Sequence, residues 1–231
     1  LSDRIEKVVL DMLRGKIKVT FDEILQKLFI TFPNGLTPDT KGVIEVLKEY
    51  ATTTGDGRWR YKPEVDYRDT AHSEMIYYLS EIGKKAGYKV WIGSKEQGDT
   101  FRNEKLSKFC TESNLKLSGF SENELRRIAM IDVLWYEESS IKYIFEVENS
   151  TSITSAIERA SHIPEEYEVN RFIVIPEERQ KMLERKMNEP MFQEGYSKYK
   201  WRTIHYDALK DFYNLHKGSK ALNRSDLDNL K

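Results

Sequence analysis

Three carboxylates interrupt two apolar segments in the middle of the chain, IDVLW and IFEVEN. Asp132 lies in the first segment, and Glu146 and Glu148 lie in the second. Alternate residues of a strand point to the same face, so Glu146 and Glu148 should share one face and Val147 the other. The spacing between Asp132 and Glu146 suits neighbouring strands of a hairpin, which would bring these acids side by side.

Acids gathered in this way repel each other, and either protonation or a counter-charge can relieve the repulsion. A bound divalent cation relieves the repulsion better than protonation does, since hard cations prefer oxygen ligands. Glu74, on the helix that should open this part of the chain, is the natural fourth acid. The alternative places Glu146 and Glu148 on the solvent face of an edge strand. The aromatic neighbours of YIFEVEN and the apolar run around Asp132 favour the metal site.

The elements that must position the acids follow a regular order after residue 69. TAHSEMIYYLSEIGKKAGY predicts a helix and KVWIG a strand, while residues 94–120 should be irregular with a helix around NEKLSKFC. LRRIAMIDVLWY and IKYIFEVENS predict strands joined by EESS, and SITSAIERASHI predicts a helix. RFIVIP, EERQKMLERKMNEP, WRTIHY and DALKDFYNLH predict strand, helix, strand and helix, followed by a loose polar tail. This order predicts an α/β (α+β) fold with a mixed sheet flanked by helices.

Residues 1–65 predict a separate small domain of three short helices followed by a hairpin. The helices are DRIEKVVLDMLRG, TFDEILQKLF and TPDTKGVIEVLKEYA. Thr20 is the expected N-cap of the second helix and Thr37 that of the third. Residues 63–69 are the expected linker, and residues 66–231 the second domain.

This layout is that of a winged helix, in which GDGRWRYK would form the wing. Arg58, Arg60 and Lys62 are then candidates for contacts with DNA phosphates. A packing or dimerisation module is the alternative.

From the opening helix onwards, residues 69–213 resemble the PD-(D/E)XK nuclease superfamily, which has the restriction-endonuclease-like fold. The resemblance rests on the order of HSEMIYYL, IDVLW and FEVEN, followed by a helix and a further strand. Asp132 and Glu146 match the two metal-binding acids, and Glu74 matches the acid that many members carry on the helix. Glu148 lies at the position where the family usually has Lys. A minority of type II restriction enzymes also have Glu at this position.

The resemblance implies a magnesium-dependent DNA endonuclease of restriction or defence, in which Mn²⁺ can replace Mg²⁺. Asp132, Glu146 and the Val147 carbonyl would hold the ion, and Glu148 would orient a water or bind a second ion. Double-stranded DNA is the implied partner, while a homodimer and further domains of a longer chain stay open. The rival interpretation is a non-catalytic regulator on the same fold that binds DNA or a protein.

Polar residues directly after the acids suggest where a phosphate would bind. Asn149, Ser150 and Thr151 should lie at a helix N-terminus, which is a ready anion site. Plain N-capping is the alternative. His72 is expected to be a cap or a phosphate contact.

The bulk properties of the 231 residues narrow the class of protein. The net charge of −1 gives no global signal for nucleic acid, although an acidic middle lies between more basic flanks. The single cysteine, Cys110, excludes an internal disulfide and a cysteine-based zinc cluster, so a reducing cytoplasm is expected. No run approaches the roughly 18 apolar residues of a membrane span.

Overall fold

The computed structural model describes residues 2–33, 39–62, 64–148, 159–164, 167–187 and 197–230. The chain forms two compact units, one ending at Asp69 and the other beginning at Thr70. Within the described ranges, no helix combines the length and the apolar character needed to cross a bilayer.

The first unit contains the three helices and the hairpin expected from the sequence. The helices are α1 (Ser2–Gly15), α2 (Phe21–Thr31) and α3 (Thr40–Tyr50), and the strands are β1 (Ala51–Thr53) and β2 (Trp59–Tyr61). β1 and β2 are antiparallel, and Val19 bridges to Trp59 on the other side of β2 through two backbone hydrogen bonds of 2.9 and 2.7 Å. One apolar core, which includes Val9, Leu28 and Leu47, holds the helices together.

Two helix starts in this unit test the predicted caps. Thr20 caps α2 in a capping box with Glu23, as predicted. The predicted cap of α3, Thr37, is wrong, because the helix begins at Thr40 with Asp39 as its N-cap. The Asp39 carboxylate accepts the N–H of Gly42 at 2.8 Å, which satisfies one of the free amides of the first turn. Thr37 itself lies outside the described residues.

The expected linker is largely helical. α4 runs over Glu64–Lys85, so residues 64–69 of this linker are helical, and Pro63 lies outside the described residues. At its other end, α4 is followed by Gly87 in a left-handed conformation, which is typical of the end of a helix.

The second unit is built on a mixed five-stranded sheet. Its strands lie side by side in the order β3 (Lys89–Ile92), β6 (Val133–Glu137), β7 (Ser140–Val147), β8 (Asn170–Ile175) and β9 (Arg202–His205). β3–β6 and β6–β7 are antiparallel, whereas β7–β8 and β8–β9 are parallel. β4 (Thr100–Phe101) and β5 (Glu104–Lys105) form a separate hairpin. The further helices are α5 (Glu122–Ile128), α6 (Gln180–Met187) and α7 (Tyr206–His216).

Apolar side chains cover both faces of the sheet. One face, which includes Trp135 and Phe145, shares a core with residues of α4 and α7. The other, which includes Leu134 and Ile144, shares a core with Ile128 of α5 and with residues of α6. The predicted fold class, a mixed sheet flanked by helices, is therefore confirmed.

Two local predictions in this unit are wrong, and a third is only partly met. Residues 125–136 do not form one strand, because Ser121 and Glu124 make a capping box that starts α5, and β6 begins only at Val133. The helix expected around NEKLSKFC is a short 3₁₀ helix, Leu106–Phe109, which follows β5. The polar tail is packed rather than loose, since it buries Leu222, Leu227 and Leu230 in the main core.

A β-bulge interrupts the pairing of β6 with β7. Near the turn, Tyr136 pairs with Ile141, but one residue further on Trp135 pairs with Tyr143. Lys142 is therefore the extra residue on β7.

Candidate functional site

The three acids meet where β6 begins and β7 ends. Val133 pairs with Phe145, so the same register continued by one residue sets Asp132 opposite Glu146. Glu148 follows β7 directly, and its N–H donates to the Val174 carbonyl at 2.8 Å. The hairpin predicted from the sequence spacing thus brings Asp132 and Glu146 together.

All three acids are buried. Asp132 is 4% exposed, Glu146 0% and Glu148 3%. β7 is a central strand, paired on both sides, so the alternative of a solvent-facing edge strand is wrong. Buried carboxylates need compensating charge or hydrogen bonds, because their desolvation in an apolar interior is costly.

The compensating charge comes from Arg159. Its Nε donates to Glu146 Oε1 at 3.1 Å and its Nη2 to Glu146 Oε2 at 2.5 Å, which makes a bidentate pair. The same Nη2 lies 3.8 Å from Asp132 Oδ1. One guanidinium therefore serves both carboxylates. The sequence did not single out Arg159, which stands thirteen positions beyond Glu146.

Asp132 has two further partners. Its Oδ2 accepts the backbone N–H of Val147 at 2.8 Å and lies 3.7 Å from His72 Nε2. His72 is thus the α4 residue beside the acids, a contact that the sequence did not predict. Glu74, the expected fourth acid, instead accepts the hydroxyl of Tyr78 at 2.6 Å. Its contacts within the described part of the chain include none of the other three acids.

The contacts of Asp132 determine the directions in which its own pKa and the pKa of His72 are shifted. Burial alone would raise the pKa of Asp132, but His72, Arg159 and the Val147 N–H lower it overall. Burial alone would lower the pKa of His72, but the Asp132 carboxylate raises it overall. This pair therefore favours a carboxylate facing a protonated imidazole.

Glu146 and Arg159 form the second charged pair of the site. Complete burial raises the pKa of Glu146 well above its usual range, and the charges of Asp132 and Glu148 add to this, while Arg159 opposes it. Burial disfavours the charged guanidinium, but Glu146 outweighs this and raises the pKa of Arg159. Glu146 thus depends on a cation to remain ionised.

Glu96 is another buried acid that sequence reasoning missed. It is 5% exposed and lies in a 3₁₀ turn after β3, in a polar segment without a recognisable motif. Its Oε2 has no hydrogen-bond partner among the described residues. Burial, together with the Asp132 charge, raises the pKa of Glu96 to about 7.

The acids do not form a ready metal cage. Among the residues that the structure describes, no group of three His, Cys, Asp or Glu side chains is arranged to hold a metal ion. The predicted phosphate contacts Asn149, Ser150 and Thr151 lie outside the described residues.

The predicted DNA contacts of the first unit lie on and beside β2. Arg58 and Arg60 are exposed, and Arg58 Nε lies 3.9 Å from Asp56 Oδ2 in the turn. Lys62 is half-buried, and its Nζ donates to the Lys48 carbonyl at the end of α3. The two arginines are therefore better placed for an external partner than Lys62.

Comparisons with known proteins bear on the second unit. Residues 61–230 match the family model described as "Type II restriction enzyme NmeDI C-terminal domain". The chain is 25% identical over 171 residues to the type II restriction enzyme NmeDI of Neisseria meningitidis serogroup C, an alignment that covers 68% of this chain and 47% of that protein. The chain thus spans about half the length of this curated relative. No solved structure matches significantly. Because the family model covers well over half of the chain, the chain belongs to the family of NmeDI-type C-terminal domains of type II restriction enzymes.

Proposed function

We propose that the chain is a magnesium-dependent DNA endonuclease of restriction or defence, with a PD-(D/E)XK-type site at the ends of β6 and β7. The observation that carries the proposal is the convergence of two buried carboxylates, Asp132 and Glu146, where β6 begins and β7 ends. The match to a restriction-enzyme domain supports the same activity.

The donor chemistry of the site fits a divalent ion. Carboxylate oxygens are the hard ligands that Mg²⁺ prefers, and Mn²⁺ suits the same donors. Asp132, Glu146, Glu148 and the Val147 carbonyl are the proposed ligands. A bound divalent ion would polarise the phosphoryl group and acidify a bound water.

The protein's own groups would prepare that chemistry. The Val147 N–H and His72 fix the Asp132 carboxylate from two directions. Glu148 is held at the end of β7 by the hydrogen bond from its N–H to Val174 and is proposed to orient the attacking water. Glu74 remains a proposed helper on α4, and Asn149, Ser150 and Thr151 remain proposed phosphate contacts.

The first unit is proposed to hold the DNA. Residues 1–65 would act as a winged-helix-like module, and residues 66–231 as the nuclease domain. The bridge from Val19 to Trp59 supports the winged-helix proposal, because it adds a third short strand segment to the hairpin. Arg58, Arg60 and Lys62 would then contact phosphates of double-stranded DNA.

A nicking assay tests the proposed function. Supercoiled plasmid is incubated with the full chain and Mg²⁺ or Mn²⁺, alongside Asp132→Asn and Glu146→Gln. We expect nicking by the wild type and a loss of at least about 100-fold in each variant, which matches removal of about 3 kcal/mol of transition-state stabilisation. Equal nicking by Asp132→Asn would rule out this site.

A non-catalytic regulator that binds DNA or protein is the second candidate. The observation in its favour is the Arg159–Glu146 pair, which neutralises the acids without a metal. This candidate expects no nicking by the wild type with either ion. It also expects that Asp132→Asn leaves DNA affinity unchanged.

A further inference from the structure

Arg159 engages the oxygens that a divalent ion would need. Its guanidinium uses both carboxylate oxygens of Glu146 and also faces Asp132 Oδ1. A Mg²⁺ ion requires oxygen ligands at about 2.1 Å in near-octahedral geometry. An ion bound to Glu146 at that distance would compete with the guanidinium for the same lone pairs, and the two cations would also repel each other. Arg159 in its present position and a divalent ion on Glu146 therefore exclude each other.

The side chain of Arg159 is able to leave, whereas the acids are not. It is 24% exposed, while the side chains of Glu146 and Asp132 are 0% and 6% exposed. Arginine has a long flexible stem, and its guanidinium is more weakly hydrated than an ammonium group, so it can exchange between buried and exposed ion pairs. The acids are fixed at the ends of paired strands and cannot follow it.

We propose that Arg159 is a built-in substitute for the divalent ion: it neutralises Glu146 and Asp132 in the metal-free protein and is displaced when the ion binds. This inference rests on the proposed metal-dependent function. It makes Arg159 a positioning residue that keeps the two acids side by side, ready for the ion. The displaced guanidinium remains beside the site, where it can pair with a phosphate in a bidentate manner.

Metal affinity provides the first test. Mn²⁺ is titrated calorimetrically into the wild type, Arg159→Gln and the control Arg126→Gln. Arg126 is an exposed arginine of α5 that pairs with Glu122 at 3.8 Å. Arg159→Gln should bind Mn²⁺ about tenfold more tightly or better, because the ion no longer has to displace the Arg159 guanidinium. The Mn²⁺ affinity of Arg159→Lys should lie between those of the wild type and Arg159→Gln, and the affinity of Arg126→Gln should match that of the wild type.

A structural role for Arg159 predicts the opposite result. If Arg159 only held Glu146 in place for the metal, Arg159→Gln would bind Mn²⁺ equally well or more weakly. Either outcome would overturn the inference.

The second test uses the wild-type protein, so it stands even if Arg159→Gln does not fold. Phenylglyoxal labels accessible arginines, and peptide mapping by mass spectrometry reports each labelled residue. Arg159 should be labelled slowly without metal and at least about threefold faster at saturating Mn²⁺, because displacement exposes its guanidinium. Arg126 should be labelled equally in both conditions. An unchanged rate at Arg159 would refute displacement.

The two proposals fail in different ways. Nicking activity with no change in the labelling of Arg159 would leave the nuclease proposal standing and overturn displacement. Absence of both Mn²⁺ binding and nicking would overturn both.

Discussion

The backbone N–H of Val147 donates to Asp132 Oδ2 at 2.8 Å, which ties the end of β7 to the residue just before β6. Asp132 therefore has a structural role in addition to its charge. It satisfies a buried amide at the point where the ladder between the two strands stops. Substitutions at Asp132 should therefore separate a structural effect from a chemical one.

Asp132→Asn and Asp132→Ala should both abolish nicking but differ in stability. Asn retains an oxygen that can accept the Val147 N–H, whereas Ala leaves that buried donor without a partner, which costs about 1–3 kcal/mol more. Urea unfolding in the presence of EDTA measures the difference. Equal stabilities of the two variants would contradict the role of this hydrogen bond.

Glu146→Gln and Arg159→Gln should each destabilise the metal-free protein. Arg159→Gln leaves the fully buried Glu146 without its cation, a loss of about 3–5 kcal/mol. Glu146→Gln should cost less, because Arg159 is partly exposed and still faces Asp132. The double variant should cost clearly less than the sum of the two single variants, because neither charge is then left alone. Chemical unfolding of all four proteins closes this double-mutant cycle, and additive losses would show that the two side chains are not coupled.

Gly83→Ala should destabilise the second unit, although alanine favours helices. Gly83 lies in α4, and a Cβ there would approach Trp135 Cδ1 to 2.7 Å. Trp135 is fully buried and donates its indole N–H to the Leu79 carbonyl, so it cannot yield easily. We expect a loss of about 1–3 kcal/mol in thermal or urea unfolding.

Gly98→Ala is the matched control for this substitution, since a Cβ at Gly98 meets nothing within 4 Å. It should change stability by no more than about 0.5 kcal/mol. A similar effect at both positions would argue against the close approach of α4 to the sheet.

Glu96 should make stability depend on pH. Burial, with the Asp132 charge, raises its pKa from 4.5 to about 7, against the opposing charges of His72 and Lys95. The folded protein therefore holds this proton more tightly than the unfolded chain does. The corresponding stability is present below pH 4.5 and is lost as the pH rises towards 7.

Glu96→Gln removes this titration and should gain stability over the wild type as the pH rises. The gain between about pH 4 and about pH 8 should reach roughly 2–3 kcal/mol, in line with 1.36 kcal/mol for each unit of pKa difference. Unfolding of both proteins in EDTA across this range measures it. A stability difference that does not change with pH would show that Glu96 does not titrate in this way.

The wing arginines should govern the salt dependence of DNA binding. The pair Arg58→Gln and Arg60→Gln should weaken binding and flatten the plot of log K against log salt by about 0.9 for each lost phosphate contact. Lys62→Gln should have a smaller effect on the slope, since Lys62 already donates to the Lys48 carbonyl.

Lys27→Gln, which neutralises an exposed position of α2, is the control for the wing. Fluorescence anisotropy with labelled duplex DNA at several salt concentrations measures all four proteins. An unchanged slope in the double arginine variant would favour a packing or dimerisation role for the first unit.

Much of the fold was accessible from the hydrophobic pattern. The helices bury one regular face, and central strands such as β6 and β8 are short apolar runs that are buried on both faces. The stretch LRRIAMIDV was assigned to a strand because its apolar residues fit the period of a strand as well as that of a helix. The capping box of Ser121 and Glu124 decided for a helix. The C-terminal tail was expected to be loose because it carries many polar residues, but three leucines are enough to dock it on the core.

The acids of the site were found because they break apolar strands, but their partners were not. Arg159, His72 and Glu96 lie on other segments and reach the acids only through tertiary packing. Sequence alone therefore suggested carboxylates that repel each other, whereas Asp132 and Glu146 are already neutralised by cations within the chain.

The β-bulge at Lys142 determines which residue Asp132 faces. The register set at the turn, Tyr136 with Ile141, would place Asp132 opposite Phe145 if it continued unchanged to the open end of the hairpin. The extra residue moves the pairing by one, so Asp132 meets Glu146 instead. Deleting Lys142 would leave Asp132 opposite Glu146 on a regular ladder, whereas straightening the strand without a deletion would set Asp132 opposite Phe145. In evolutionary terms, the acid pair survives only when the bulge and its extra residue are kept or lost together.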